Sequence, residues 1–190
     1  MLDNSEKYTS RYRALYNNEI AGKLRELFSL ENEMQVPVVE KIVLNCSYGP
    51  AVTDSKKLNK IKAQLSLIAG QAPVTTKARR SLAGFHLREG MPLGLKVTLR
   101  KNNMYDFLDK LINIAMPRIK DFQPYTTNNF DHHANFNFGI TDQTIFPEID
   151  YDAIEFLWGM NITIVTSTQD KDQAKALLEQ FNFPFVKEAK

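Results

Sequence analysis

Two segments of this chain alternate polar and apolar side chains residue by residue, and a period of two belongs to extended backbone. Over residues 38–46, Ile42, Leu44 and Cys46 fall on one side and Lys41, Val43 and Asn45 on the other. Over residues 95–100, Leu95, Val97 and Leu99 oppose Lys96, Thr98 and Arg100. Successive side chains of a strand point to opposite faces, so each segment predicts a β-strand with one core face and one polar face. The polar face of the second strand is the most basic in the sequence. Shorter strands are predicted over 73–76, 136–140 and 162–166.

Between the strands the period lengthens to that of helices. Tyr8, Tyr12, Leu15, Ile20, Leu24, Leu27 and Phe28 recur at steps of one to five, which predicts an amphipathic helix capped by Asn4 or Ser5 and ended before Pro37. Leu58, Ile61, Leu65 and Ile68 mark a second helix, capped by Thr53 or Asp54 and closed by Gly70 as a left-handed residue. Met104, Phe107, Leu108, Leu111, Ile114 and Ala115 mark a third, capped by Asn102 or Asn103 and stopped by Pro117. Asp170 caps the last, carrying Ala174, Leu177, Leu178 and Phe181. Helices and strands mix without a regular strand-helix-strand repeat. The expected fold is therefore α+β: an antiparallel-dominated sheet packed on helices on one face, with the other face free. A chain of 190 residues, 43% hydrophobic, suits one domain over 1–190.

Charge is distributed unevenly. Lys77, Arg79, Arg80, Arg88, Lys96, Arg100 and Lys101 face only one acid, Glu89, between residues 77 and 101. That is a local charge of +6, which leaves −4 for the remainder of a chain whose net charge is +2. The segment contains Gly84, Gly90, Pro92 and Gly94, so a protruding basic loop is expected between two strands. Glycines let backbone and cations approach a phosphate backbone closely. If the strands carrying Asn45 and Thr98 are neighbours, their outer faces combine Lys41, Asn45, Lys96, Thr98 and Arg100 into a surface suited to RNA.

Catalytic templates are missing. The sequence has no phosphate-binding loop, no dinucleotide fingerprint and no nucleophile elbow. His132 and His133 beside Asp131 point apart in an extended chain, and no further His or Cys lies nearby to complete a coordination shell. Glu148, Asp150 and Asp152 read as a solvated turn or protein-contact edge. No cofactor or metal is expected, and a small hydrolase using Asp131, His132 and Glu148 is the weakest reading. No stretch has the roughly 18 apolar residues of a membrane helix, so no membrane association is expected. The single Cys46 reads as a small buried hydrophobe in a reducing compartment. Residues 1–7 show neither a signal nor a transit pattern, which predicts a protein made where it works.

Several ordered segments are familiar: Val39-Glu40-Lys41-Ile42-Val43-Leu44-Asn45, Ile68-Ala69-Gly70-Gln71-Ala72-Pro73, Lys77-Ala78-Arg79-Arg80-Ser81, Lys96-Val97-Thr98-Leu99-Arg100, Phe146-Pro147-Glu148-Ile149-Asp150-Tyr151 and Gly159-Met160-Asn161-Ile162-Thr163-Ile164. In this order the chain resembles bacterial-type large-subunit ribosomal protein five, from the first helix to Phe185. The resemblance implies a structural constituent of the large ribosomal subunit that binds 5S rRNA in the central protuberance alongside large-subunit rRNA. Asn45, Gln71 and Thr98 match that family's RNA-contacting Asn, Gln and Thr, with Lys41, Lys96 and Arg100 around them. Lys77, Arg79, Arg80, Ser81 and Arg88 match a loop that reaches the elbow of P-site tRNA. Residues 117–152 match a surface touching a small-subunit head protein across an intersubunit bridge. The chain departs from the family at Asp131-His132-His133-Ala134-Asn135 and at Phe156-Leu157-Trp158, where Phe156 and Trp158 are expected to join the core. Frequent Asn and the absent transit pattern favour a mitochondrial copy over a bacterial one. The alternative function is a free-standing RNA-binding regulator or RNA chaperone using the same sheet.

Overall fold

The computed structural model describes residues 8–47, 49, 55–151 and 154–186. Its centre is a five-stranded sheet in the order β2-β3-β1-β5-β4, formed by β1 (Val39–Ser47), β2 (Val74–Lys77), β3 (Pro92–Leu99), β4 (Phe136–Ile140) and β5 (Met160–Thr166). Every neighbouring pair is antiparallel. Ile42, Leu44 and Cys46 of β1 and Leu95, Val97 and Leu99 of β3 are buried, as are Phe136 and Phe138 of β4 and Ile162 and Ile164 of β5. One face of β1, β3, β4 and β5 is therefore core, as the alternation predicts, whereas the edge strand β2 has no buried residue.

Helices cover that face. A rod of α1 (Arg11–Leu15) and α2 (Ala21–Leu27), joined by a π-helical turn at Tyr16–Ile20, lies against α4 (Lys101–Lys110). α3 (Ser55–Ala69) packs on β3 through Leu58, Ile61, Leu65 and Ile68, and α5 (Lys171–Gln180) closes the layer. Phe181 knits the helices together: its ring stacks on Tyr12 at 5.3 Å and meets Tyr105 at 6.2 Å. A second aromatic cluster, Tyr125, Phe136, Phe138 and Phe183, tethers the segment after α5, where the Tyr125 N–H donates to the Pro184 carbonyl at 3.0 Å. Aromatic pairs at these separations add stability beyond the area they bury.

Several expectations about element ends need correction. The first rod begins at Arg11, and the expected caps Asn4 and Ser5 lie outside the described residues, as do Thr53 and Asp54 before α3. Neither Asn102 nor Asn103 caps α4, because Lys101, at φ +54°, turns the chain directly from β3 into the helix. Asn102 instead donates to the Tyr8 carbonyl at 2.6 Å and accepts from Arg13 at 2.7 Å, tying α4 to the first rod. α4 widens into a π-helical turn at Leu111–Ala115, and Pro117 falls in the 3₁₀ turn Met116–Arg118 that ends it. Gly70 does adopt φ +63°, and the Asp170 carboxylate does cap α5 by accepting the Asp172 N–H at 3.0 Å.

Candidate nucleic-acid interface

The pairing registers set the free face out in rows. Asn45 lies opposite Lys96 on β3 and opposite Asn161 on β5, while Val74 of β2 pairs with Lys96 and Gly139 of β4 with Asn161. The next row runs Thr98, Val43, Thr163 and Asn137, and beyond it Lys41 pairs with Val165. Strands about 4.8 Å apart make this face roughly 19 Å across. Asn45, Lys96 and Asn161 are exposed, whereas Lys41, Thr98, Thr163 and Asn137 are half-buried. Arg100 follows β3 in extended backbone (φ −141°, ψ 162°) and is exposed. Gln71 is exposed in the turn between α3 and β2, three residues before the pair of Val74 with Lys96.

The polar groups in these rows divide into two kinds. Thr163 donates to Asn137 at 2.6 Å, and Asn137 also accepts from Asn129 through its carbonyl at 3.1 Å. Those groups are committed to the fold. The side chains of Asn45, Thr98 and Asn161 bond to no other protein group among the described residues. Alternation within 160–166 carries the signal for Asn161, but its place beside Asn45 comes only from strand order.

The cations divide the same way. In the helical layer Arg11 pairs with Asp109 at 2.6 Å, Arg25 with Glu33 at 3.7 Å, Lys110 with Glu148 at 2.6 Å, and Lys60 with Glu155. Among the described residues Lys41, Lys77, Arg79, Arg80, Arg88, Lys96 and Arg100 form no ion pair. Exposed ion pairs contribute little to stability, so leaving these cations unpaired sacrifices almost nothing in the fold and keeps their charge available to phosphates.

The basic loop is a finger with its own backbone hydrogen bonds. Lys77 belongs to β2, and Pro92 and Gly94 belong to β3, so the loop itself is 78–91. Its base is closed by the Ala78 N–H donating to Met91 at 2.8 Å and the Gly90 N–H donating to Ala78 at 3.0 Å. Higher up, Leu82 and Leu87 exchange two backbone hydrogen bonds at 3.0 Å, and the Ser81 hydroxyl accepts the Glu89 N–H at 3.0 Å. Ser81 thus shapes the finger. Gly90, at φ +83°, serves a turn; Gly94 serves strand packing, because a Cβ there would lie 2.5 Å from the Cys46 carbonyl oxygen.

Most of the other described residues singled out by sequence have a partner within the fold. The Asp131 carboxylate accepts from the His133 N–H at 2.9 Å, the Asn135 N–H at 2.8 Å and the Asn135 amide at 2.9 Å. Partial burial alone would raise its pKa, but these hydrogen bonds outweigh that effect and hold it below the ordinary carboxylate value. His132 and His133 are exposed in that turn. Glu148 pairs with Lys110, and Asp152 lies outside the described residues. Trp158 is core: its indole N–H donates to Gln64 at 2.7 Å, and its backbone N–H to buried Gln143 at 2.9 Å. Phe156 packs partly buried against the same core. Cys46 points into the core, where burial pushes its thiol up to about 11.

An open sheet face with uncommitted amide and hydroxyl groups, flanked by a finger of unpaired cations, defines an α+β protein with a cationic, hydrogen-bonding surface. Residues 32–88 match the family described as Ribosomal protein L5, and residues 92–185 match the C-terminal part of the same ribosomal family. The chain belongs to the ribosomal protein L5 family, whose members are structural proteins and not enzymes. It is 47% identical over 182 residues to the large ribosomal subunit protein uL5 of Fusobacterium nucleatum, covering 96% of this chain and 100% of that one. It is 49% identical over 179 residues to the large ribosomal subunit protein uL5 of Latilactobacillus sakei, covering 94% and 99%. Both relatives are bacterial, so the expectation of a mitochondrial copy finds no support in them.

Proposed function

We propose that this chain is a structural constituent of the large ribosomal subunit whose open sheet face binds 5S rRNA in the central protuberance. The observation that carries this reading is the β1–β3 register, which sets Asn45 opposite Lys96 and Thr98 opposite Val43 on a face that no described helix covers. A-form RNA exposes 2′-hydroxyls and base edges across a wide, shallow groove, a target that amides and hydroxyls on a rigid surface can meet. Asn45, Thr98 and, from its edge turn, Gln71 supply those groups, while Lys41, Lys96 and Arg100 supply attraction to phosphates. The finger residues Lys77, Arg79, Arg80, Ser81 and Arg88 reach P-site tRNA. Residues 117–152 meet a small-subunit head protein. Membership of a ribosomal protein family supports a place in the ribosome, and the free cations support RNA as the partner.

Mobility-shift titration with 5S rRNA tests the face. Asn45→Ala and Thr98→Ala each remove a hydrogen-bonding group without changing charge, and each is expected to weaken binding about tenfold, or about 1.4 kcal/mol. Unchanged affinity in both variants refutes the assignment of the sheet face. Co-sedimentation with large subunits in high salt separates a ribosomal constituent from a free-standing RNA-binding regulator.

A further inference from the structure

The tip of the finger carries a side chain that phosphate binding does not require. Phe85 is 72% exposed and Leu82 52% exposed. Burying such a ring elsewhere in the protein would stabilise it through the hydrophobic effect, so the fold forgoes that gain here. The ring is held on a closed turn: the Phe85 N–H donates to Leu82 at 3.3 Å, the His86 N–H donates to Ala83 at 3.0 Å, and His86 reverses the chain at φ +55°. Arg80 and Arg88 lie immediately below, each adjacent in sequence to one partner of the Ser81–Glu89 hydrogen bond. Neither arginine has an ion-pair partner among the described residues.

We infer that Phe85 is a stacking platform for an unpaired RNA base, with Arg80 and Arg88 gripping the adjoining phosphates. Duplex RNA hides its base faces and offers an aromatic ring little to stack on, whereas bases in loops are splayed out and stack on aromatic side chains. Unpaired cations on both sides of an exposed ring match that combination of ring face and polyanion. The inference rests on the reading of the finger as an RNA-contacting element and names the chemical feature it recognises.

The test uses the full chain carrying Phe85→Trp, since the native Trp158 is 3% exposed and contributes a constant background. Three RNA probes of matched charge are titrated: a hairpin with unpaired loop bases, the same hairpin with abasic loop positions, and a continuous duplex. Fluorescence at position 85 is expected to be quenched by the first alone. Phe85→Ala is expected to weaken hairpin binding about tenfold, leave duplex binding unchanged and leave the salt dependence of binding intact. Equal affinity of Phe85→Ala and the unsubstituted chain for the looped hairpin overturns stacking. If Arg80→Gln still weakens all three probes in that case, the finger remains an RNA contact and only the base assignment falls. If Arg80→Gln also changes nothing, the RNA reading of the finger falls with it. Quenching by salt-washed small-subunit proteins and by none of the RNAs assigns the ring to a protein contact and equally overturns the inference.

Discussion

At Gly94 the middle strands approach so closely that a side chain has no room. A Cβ there would lie 2.5 Å from the Cys46 carbonyl oxygen, 3.2 Å from the Thr76 hydroxyl and 3.3 Å from the Ser47 Cα. Backbone on β1 and a side chain on β2 would both have to move, so Gly94→Ala is expected to destabilise the protein by about 3 kcal/mol. Gly22 in α2 is the opposite case: nothing lies within 4 Å of its missing Cβ, and Gly22→Ala is expected to stabilise by about 0.5–1 kcal/mol through helix propensity. Urea unfolding of the two variants checks both signs. A neutral Gly94→Ala would mean that the β1–β3 spacing is looser than described, and with it the surface that holds Asn45 and Lys96.

Among the elements, β3 and the finger before it divide the labour that the sheet face requires. β3 is rigid because Leu95, Val97 and Leu99 anchor it in the core, and that anchoring aims Lys96 and Thr98 outward. The finger has only Ala78 well buried, yet its paired backbone groups give it a defined shape. Each phosphate contact that is lost removes about one unit from the slope of binding affinity against salt concentration on logarithmic axes. Replacing Arg79, Arg80 and Arg88 by Gln is therefore expected to flatten the slope for tRNA by about three units in all, while Arg11→Gln, whose guanidinium is held by Asp109, leaves it unchanged. A slope unaffected by the triple substitution removes the finger from the phosphate contacts.

Among the described residues the buried ionisable groups are mainly weak acids kept neutral. Burial pushes the Cys46 thiol from 9.0 up to about 11 and the Tyr105 hydroxyl from 10.0 up to about 12, and it raises Tyr12, Tyr16 and Tyr125 in the same direction. A group whose folded pKa exceeds its unfolded pKa stabilises the fold fully below the unfolded value, and that stability is lost as pH rises through the folded value. Thermal unfolding is thus expected at a steady temperature from neutrality to about pH 9, then at falling temperatures toward pH 12, with a shallower decline in Cys46→Ala. A transition temperature that holds through pH 11 contradicts the burial of these groups.

Periodicity made much of this legible. The alternation around Asn45 and Thr98 identified two strands and their outward residues, and the spacing of Leu58, Ile61, Leu65 and Ile68 identified a core helix, because both signals arise from local backbone geometry. Gln71 was recognisable only through resemblance, since a turn residue has no period. Strand order, and with it the meeting of Asn45 with Asn161, depended on chain segments remote from one another, as did the Gly94 contact and the bonding that draws Asn102 away from capping α4. A side chain's face follows from its own neighbours in the chain, but its partners across a sheet follow from how the whole core packs.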